Sequence, residues 1–278
     1  MKYYDLSKKE YVHIPTKKSK PLSFLYNHAF GRLILKLFLS KHYRTSRRYL
    51  CSNHSVRRID KFVRKHNIDM SDYEDKEYSS FNDFFTRKIK EGKRKISDGL
   101  FAVADSKLSI YKIDDNSSFK VKNSVYTVDE LLGEDGSNFK EGHALIFRLA
   151  VNDYHHYVFP DDGKVLSKKV IKGKLHTVQP IAFKKYKVFM ENTREISYLD
   201  TKNYGKIAYV EIGAMLVGRI VNRDVNIFKR GEDKGYFEFG GSTVILLFEK
   251  DKVKINDILI ENTLNNIENI VKLGESLE

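Results

Sequence analysis

Two hydrophobic periodicities divide the chain near residue 100. Before it, apolar residues recur at helical spacing. The most apolar stretch is Leu22 to Leu39, where Arg32 and Lys36 stand four apart and share one helical face, leaving Leu, Ile and Phe on the others. A helix that crosses a bilayer needs about 20 mostly apolar residues, so the two cations argue against a span. The pattern suits a helix lying in a membrane interface, or one docked on a core. Ser55 is placed to cap a second helix with Val56, Ile59, Phe62 and Val63 on one side. A third begins at Ser80, with Asp83 three residues on in a capping-box-like position and Phe81, Phe84, Phe85 and Ile89 as its apolar residues. Residues 1–20 are polar and basic, and are expected to be poorly ordered outside Tyr11–Ile14.

After residue 100 short apolar runs alternate with Gly, Asp and Asn turns. Strands are predicted at Leu100–Ala104, Leu108–Ile113, Ala144–Val151, His156–Phe159, Lys187–Met190, Lys206–Ile212, Met215–Val221, Tyr236–Phe239, Val244–Phe248 and Val253–Ile255, at sandwich or barrel spacing. Asp161-Asp162-Gly163 is a turn signal. The polar tail after Ile260 is expected to be loop or short helix. The fold class that follows is α+β: a polar N-terminal segment (1–21), a basic helical region (22–99) and a β-rich body (100–278).

Charge sharpens this division. The net charge is +13. Residues 1–100 hold 24 Lys and Arg against 11 Asp and Glu, and the remainder holds 26 of each, so the whole excess lies in the helical part. Between Tyr11 and Ile59 there are 11 cations and no acid. A basic arm ahead of a neutral body implies an anionic partner, and the apolar helix inside it favours a lipid surface over nucleic acid, for which no base-stacking motif is present. The N-terminus lacks the apolar core and cleavage site of a signal peptide. A single cysteine, Cys51, excludes an internal disulfide framework, and the lack of CxxC or HExxH spacing gives a metal site no support.

Reactive residue types fall in four places amid the strands: Asp105, Asp153-Tyr154-His155-His156, His176 and Ser242. An Asp–His–Ser set activates a hydroxyl, the His taking its proton and the Asp holding the His tautomer. Ser242 follows Gly240-Gly241 between two alternating apolar runs. A Gly pair there ordinarily marks a bulge or tight turn; the sharper reading is a self-processing Gly241–Ser242 bond.

Five motifs in order decide between these readings. Phe81-Asn82-Asp83-Phe84-Phe85-Thr86-Arg87-Lys88, Asp153-Tyr154-His155, Thr177-Val178-Gln179-Pro180, Gly213-Ala214-Met215-Leu216-Val217-Gly218 and Gly235-Tyr236-Phe237-Glu238-Phe239-Gly240-Gly241-Ser242-Thr243 together resemble the bacterial phosphatidylserine decarboxylase proenzymes, from about residue 22 to about 255. The resemblance implies that the Ser242 hydroxyl attacks the Gly241 carbonyl carbon to give an ester. Elimination then releases a β chain (1–241) from an α chain (242–278), whose first residue becomes a pyruvoyl group. That group would form a Schiff base with the serine amine of phosphatidylserine and act as electron sink while CO2 leaves, yielding phosphatidylethanolamine. Asp105 falls on the family's processing Asp, and His155 on a residue with a role in decarboxylation. Asp153, Tyr154, Gly240 and Thr243 complete the motifs. The two cleaved chains would stay associated, no metal is implied, and the enzyme would sit peripherally on the cytoplasmic side of the cell membrane, with a homo-oligomer left open.

One departure bears on mechanism. The family pattern Asp-Tyr-His-x-x-His has its processing base at the second His, where this chain has Val158. His176 is the candidate replacement base, and His155 serving both steps is the rival. The remaining alternatives are a diverged paralogue acting on another amino-acid-headed lipid and a non-processing membrane-binding protein on the same fold.

Overall fold

The structure, a computed structural model, describes residues 1–15, 19–121, 124–183, 185–215, 219–240 and 242–278. Its strands are β1 (Lys2–Asp5), β2 (Glu10–His13), β3 (Ser106–Lys112), β4 (Ser118–Val121), β5 (Ser124–Thr127), β6 (His143–Leu149), β7 (His156–Val158), β8 (Gly163–Ile171), β9 (Arg194–Thr201), β10 (Gly205–Ile212), β11 (Ile220–Asn222), β12 (Ile227–Phe228), β13 (Asp233–Phe237), β14 (Ser242–Phe248) and β15 (Glu268–Val271). Its α-helices are α1 (Lys20–Asn27), α2 (Ala29–Leu50), α3 (Ile59–His66), α4 (Phe81–Phe85), α5 (Val128–Leu132), α6 (Pro180–Phe183), α7 (Val188–Glu191) and α8 (Asp257–Leu264). The α+β class with a β-rich body is therefore the observed one.

Ten strands form one sheet in the order β12-β8-β9-β10-β14-β6-β3-β15-β1-β2. Only β1 and β15 pair in parallel within it. The continuous apolar run Val244-Ile245-Leu246-Leu247-Phe248 has no polar face to offer water, and β14 is accordingly buried along its whole length between β10 and β6. A second sheet, β11-β13-β7, lies on one face of the first. The Tyr209 hydroxyl from β10 donates to the Val158 carbonyl at 3.2 Å, and the Tyr157 and Tyr209 rings stand 6.0 Å apart. On the opposite face Phe183 and Phe189 lie against Ile146 and Arg148.

The helical region has a small core of its own, built from Leu50, Ile59, Phe81, Phe84 and Phe85, with Phe239 packed against it. Ser80 caps α4 as its sequence signals, accepting from Asp83 N at 3.1 Å, while the Asp83 carboxylate takes the Ser79 amide. Ser55 behaves differently. It sits inside a 3₁₀ turn, Asn53–Arg58, and its hydroxyl accepts from Phe81 N at 2.8 Å, tying that turn to α4 instead of capping a helix. Among the described residues no helix is long and apolar enough to cross a membrane.

Several expectations change. The first residues are ordered: β1 and β2 form the far edge of the large sheet, and Tyr3 and Tyr4 are buried. The tail also joins the sheet, because α8 is followed by β15, which inserts between β3 and β1. Lys187–Met190 is α7, where the Val188 and Phe189 side chains pack inward from a single turn. Leu100–Ala104 is buried but makes only an isolated bridge, Phe101 with Ser276. Val253–Ile255 leads directly into the Asn256 cap of α8, with no strand. Of Met215–Val221, residues 216–218 lie outside the described residues, and β11 begins at Ile220.

The full burial of β14 predicts a contrast. Leu246→Ala should lower unfolding free energy in urea by about 2–5 kcal/mol. Val125→Ala, at a position 51% exposed, should change it by less than about 0.5 kcal/mol.

Candidate active site

Ser242 opens β14, opposite Leu149 of β6, and is completely buried. Its Oγ has no hydrogen-bond partner among the described residues. Gly241 lies outside the described residues. Gly240 has φ 147°, a conformation side-chain-bearing residues rarely adopt, which is the local requirement for glycine at this step.

The helical region holds the approach to Ser242. Asn82 Oδ1 accepts from Phe239 N at 3.1 Å, and the Phe239 ring lies 5.1 Å from Phe81 and 5.0 Å from Phe85, both edge-on. Arg47 of α2 makes a two-pronged bond to the Glu238 carboxylate, at 2.8 and 3.1 Å. The first motif, Phe81 to Lys88, thus grips the last one.

His155 stands beside this loop. Its carbonyl accepts from Phe237 N at 3.0 Å, and its ring lies 4.1 Å from Phe85. Nδ1 is 2.8 Å from the Asp153 carbonyl oxygen. A carbonyl only accepts, so Nδ1 carries the hydrogen and Nε2 the lone pair. Nε2 is buried with no hydrogen-bond partner among the described residues. Complete burial lowers the pKa from 6.5 to about 4, against the opposing pull of Asp153 and the Gly240 backbone. The ring is therefore neutral at pH 7, with the Gly240 backbone close enough to act on it. Asp153 braces it indirectly: its carboxylate takes Lys107 Nζ at 2.8 and 2.9 Å and Ala150 N at 2.7 Å, which fixes the turn that carries the carbonyl. Tyr154 stacks on His156 at 5.0 Å.

The other candidates point elsewhere. His156 places Nδ1 3.1 Å from Asp233 and Nε2 3.1 Å from the Thr86 carbonyl. Val158 contributes no titratable group: its side chain is buried in the core and its backbone donates to Val103 O and accepts from Tyr209. His176 is buried, stacked on Tyr186 at 4.2 Å, with Nδ1 3.4 Å from the Tyr26 hydroxyl of α1 and Nε2 3.7 Å from the Glu191 carboxylate. Burial lowers its pKa, and Glu191 opposes this. Met215 N donates to its carbonyl, which ties it to the segment that follows β10. Asp105 is buried and accepts from Leu273 N at 2.7 Å, Arg94 at 3.4 Å and Lys272 at 3.5 Å. Its partners among the described residues include no histidine. Thr243 is buried with an unpartnered hydroxyl, and its register opposite Arg148 puts it on the sheet face away from Ser242.

Residue-type reasoning passed over a polar cluster beside Ser242. Glu211 of β10 lies opposite Val244, so it shares Ser242's sheet face. It is fully buried and bonded through Oε1 to Lys234 Nζ, which also reaches Asn222 Oδ1 at 3.1 Å. Asn222 accepts from the Tyr157 hydroxyl at 3.0 Å and donates to Glu195 at 2.9 Å. Oε2 of Glu211 has no hydrogen-bond partner among the described residues. Burial raises this carboxyl above the usual range despite Lys234, and Glu195, its cross-strand neighbour, adds to the rise. The available signal was a lone Glu inside the apolar run Ile207–Ile212. Among the described residues no group of three His, Cys, Asp or Glu side chains is arranged to hold a metal ion.

The family profile of phosphatidylserine decarboxylase matches residues 81–277. Phosphatidylserine decarboxylase proenzyme 2 of Clostridium acetobutylicum is 48% identical over 276 residues, covering 97% of this chain and 95% of its own. The phosphatidylserine decarboxylase proenzyme of Fusobacterium nucleatum is 41% identical, covering 91% and 89%. That of Clostridium tetani is 40% identical, covering 100% and 97%.

The burial of His155 has a measurable consequence. Between pH 6.5 and 4 the unfolded chain binds a proton there that the folded chain refuses, so stability falls as pH falls through that window, by roughly 3 kcal/mol. His155→Gln should remove this component, giving a shallower acid loss of melting temperature than the parent protein.

Proposed function

Because the chain belongs to the phosphatidylserine decarboxylase family, we propose that it cuts itself between Gly241 and Ser242 and then converts phosphatidylserine to phosphatidylethanolamine and CO2. The observations that carry the reading are two buried atoms with no hydrogen-bond partner among the described residues, the Ser242 hydroxyl and His155 Nε2, with the Gly240 backbone, two positions before Ser242, acting on the imidazole. A buried hydroxyl that comes within reach of a neutral imidazole is an activated nucleophile. In the cleavage step His155 takes the Ser242 proton as Oγ adds to the Gly241 carbonyl carbon. The peptide C–N bond breaks, the freed Ser242 amine takes the proton from His155, and an ester remains. Loss of the Ser242 α-hydrogen then breaks the Cβ–Oγ bond, frees the chain ending in the Gly241 carboxylate and leaves a dehydroalanine, whose hydrolysis by water releases ammonia and gives the pyruvoyl group.

The residues present fit a pyruvoyl group derived from Ser242, since the position is enclosed and its Oγ is not committed to the fold. Once formed, the group supplies an electron sink for the bond that loses CO2. Phe85, Phe239 and the two sheets exclude water from it, and Gly240 leaves its approach free of side chain.

His155 is favoured over His176 as the base. His176 Nε2 also lacks a hydrogen-bond partner among the described residues, but it stands 3.7 Å from the Glu191 carboxylate, and the contact of Nδ1 with the Tyr26 hydroxyl suits a role in positioning α1 against the Thr177–Pro180 motif. Asp105 acts across the cut, holding the Leu273 amide of the future α chain to the β chain. The α chain supplies β14 and β15, each paired on both edges with strands of the β chain, which supports continued association after cleavage.

The enzyme is placed on the cytoplasmic face of the cell membrane through the helical region 22–99, with the body 100–278 as the catalytic part. Phe24, Phe30 and Leu33 are exposed on α1 and α2, within the acid-free basic stretch.

Intact-mass measurement tests the chemistry. The wild-type chain should yield two pieces that copurify until denatured, the smaller beginning with pyruvoyl. Ser242→Ala and His155→Ala should remain single chains near 32.5 kDa, and His176→Ala should split. Splitting by His155→Ala but not by His176→Ala would transfer the base role to His176. Two pieces without CO2 release from phosphatidylserine would point to another amino-acid-headed lipid. For the membrane, Phe30→Ser with Leu33→Ser should weaken binding to vesicles containing anionic phospholipid by about tenfold, a loss of roughly 1.4 kcal/mol. Salt should weaken wild-type binding too.

A further inference from the structure

Decarboxylation consumes a proton. The bond from carbon to carboxylate breaks, CO2 leaves, and the electron pair left behind must close as a new C–H bond. A site as enclosed as Ser242 needs that proton from the protein. The histidines are engaged elsewhere: His176 has Nδ1 3.4 Å from the Tyr26 hydroxyl and Nε2 3.7 Å from the Glu191 carboxylate. His155 has its one hydrogen, on Nδ1, committed to the Asp153 carbonyl, and presents a lone pair at Nε2. His156 is turned toward Asp233 and Thr86. The Asp105 carboxylate is taken up by Leu273, Arg94 and Lys272.

We propose that Glu211 is the acid that protonates the carbon from which CO2 has left. This inference rests on the decarboxylase reading above. Register makes Glu211 the diagonal neighbour of Ser242 on the same sheet face, at a separation of roughly 7–8 Å between backbones that a glutamate side chain spans. One carboxyl oxygen, Oε2, is bare and buried, and the other is anchored by Lys234. Lys234 is itself buried, 4.7 Å from the centre of the Tyr209 ring, and offsets the negative charge left on Glu211 when the proton departs. The titratable groups around Glu211 are Lys234 from β13, Glu195 from β9, Tyr157 from β7 and Tyr209 from its own strand; β14 presents Val244. Burial and the facing Glu195 both favour the protonated acid, while Lys234 opposes them. Glu195 is only half-buried and joins the cluster through Asn222, so the resupply of protons from solvent enters from that side.

The division of labour is one of opposites in a single dry layer: a histidine kept as a base for cleavage and a glutamate kept as an acid for turnover. Glu211→Gln preserves size and the hydrogen bond to Lys234 but has no acidic proton. In the full-length chain it should split into two pieces as the parent does. Its kcat on phosphatidylserine vesicles should fall by about 100-fold or more, and the alkaline limb of the parent's pH–rate profile should disappear. A second readout needs neither reaction. The Ser242→Ala protein should show, at neutral pH, an infrared carbonyl band of a protonated carboxylic acid that shifts in D2O and is missing from Ser242→Ala with Glu211→Gln. Absence of that difference overturns the assignment, and so does a Glu211→Gln enzyme that matches the parent rate. A wild-type chain that releases no CO2 overturns the decarboxylase reading and this inference with it. Activity in the parent matched by the variant overturns this inference alone.

Discussion

A buried hydroxyl without a partner costs about 1–3 kcal/mol, and Ser242 carries one between two sheets. The bare nitrogen of His155 adds a second such penalty. Neither group would stay dry and uncommitted unless the surroundings were rigid. β14 supplies that rigidity by pairing on both edges. The bond from Asn82 to Phe239, with Phe81 and Phe85 closing on the Phe239 ring, holds the segment that leads into it. The helical region is in this sense part of the site's wall.

Charge follows the same logic at two distances. Between Tyr11 and Ile59 the cations are unmatched by acid in sequence. Inside, cations are matched locally: Lys107 with Asp153, Arg94 and Lys272 with Asp105, Lys234 with Glu211. Of these, the Lys272–Asp105 pair links segments that a cut after residue 241 would separate, and Lys234 stands seven residues ahead of that cut. Arg47 bridges the two regimes, running from the basic helix α2 to Glu238 just ahead of the glycines.

Much of the site could be read from residue types. The Gly-Gly-Ser-Thr step, the Asp-Tyr-His turn and the Phe-rich α4 are contiguous in sequence, and their order carried the family. The capping of α4 by Ser80 was equally legible, because a cap is satisfied within four residues. Less legible were groups whose partners come from far along the chain. Nothing near Asn82 announces that its side chain will hold an amide 157 positions away. The ordering of residues 1–13 depends on β15, near the other terminus, offering an edge.

The sequence by itself determined the α+β class, the uneven charge and the positions of the reactive residue types, since periodicity, composition and motif order are local properties. Only the tertiary structure decided what each reactive atom faces. Nδ1 of His155 meets a carbonyl while its Nε2 meets nothing; Asp105 meets two cations and an amide; Glu211 comes to lie on Ser242's face through strand register. These are non-local contacts between strands distant in sequence, and protonation state follows from them because burial and neighbouring charge, not residue type, set a buried pKa.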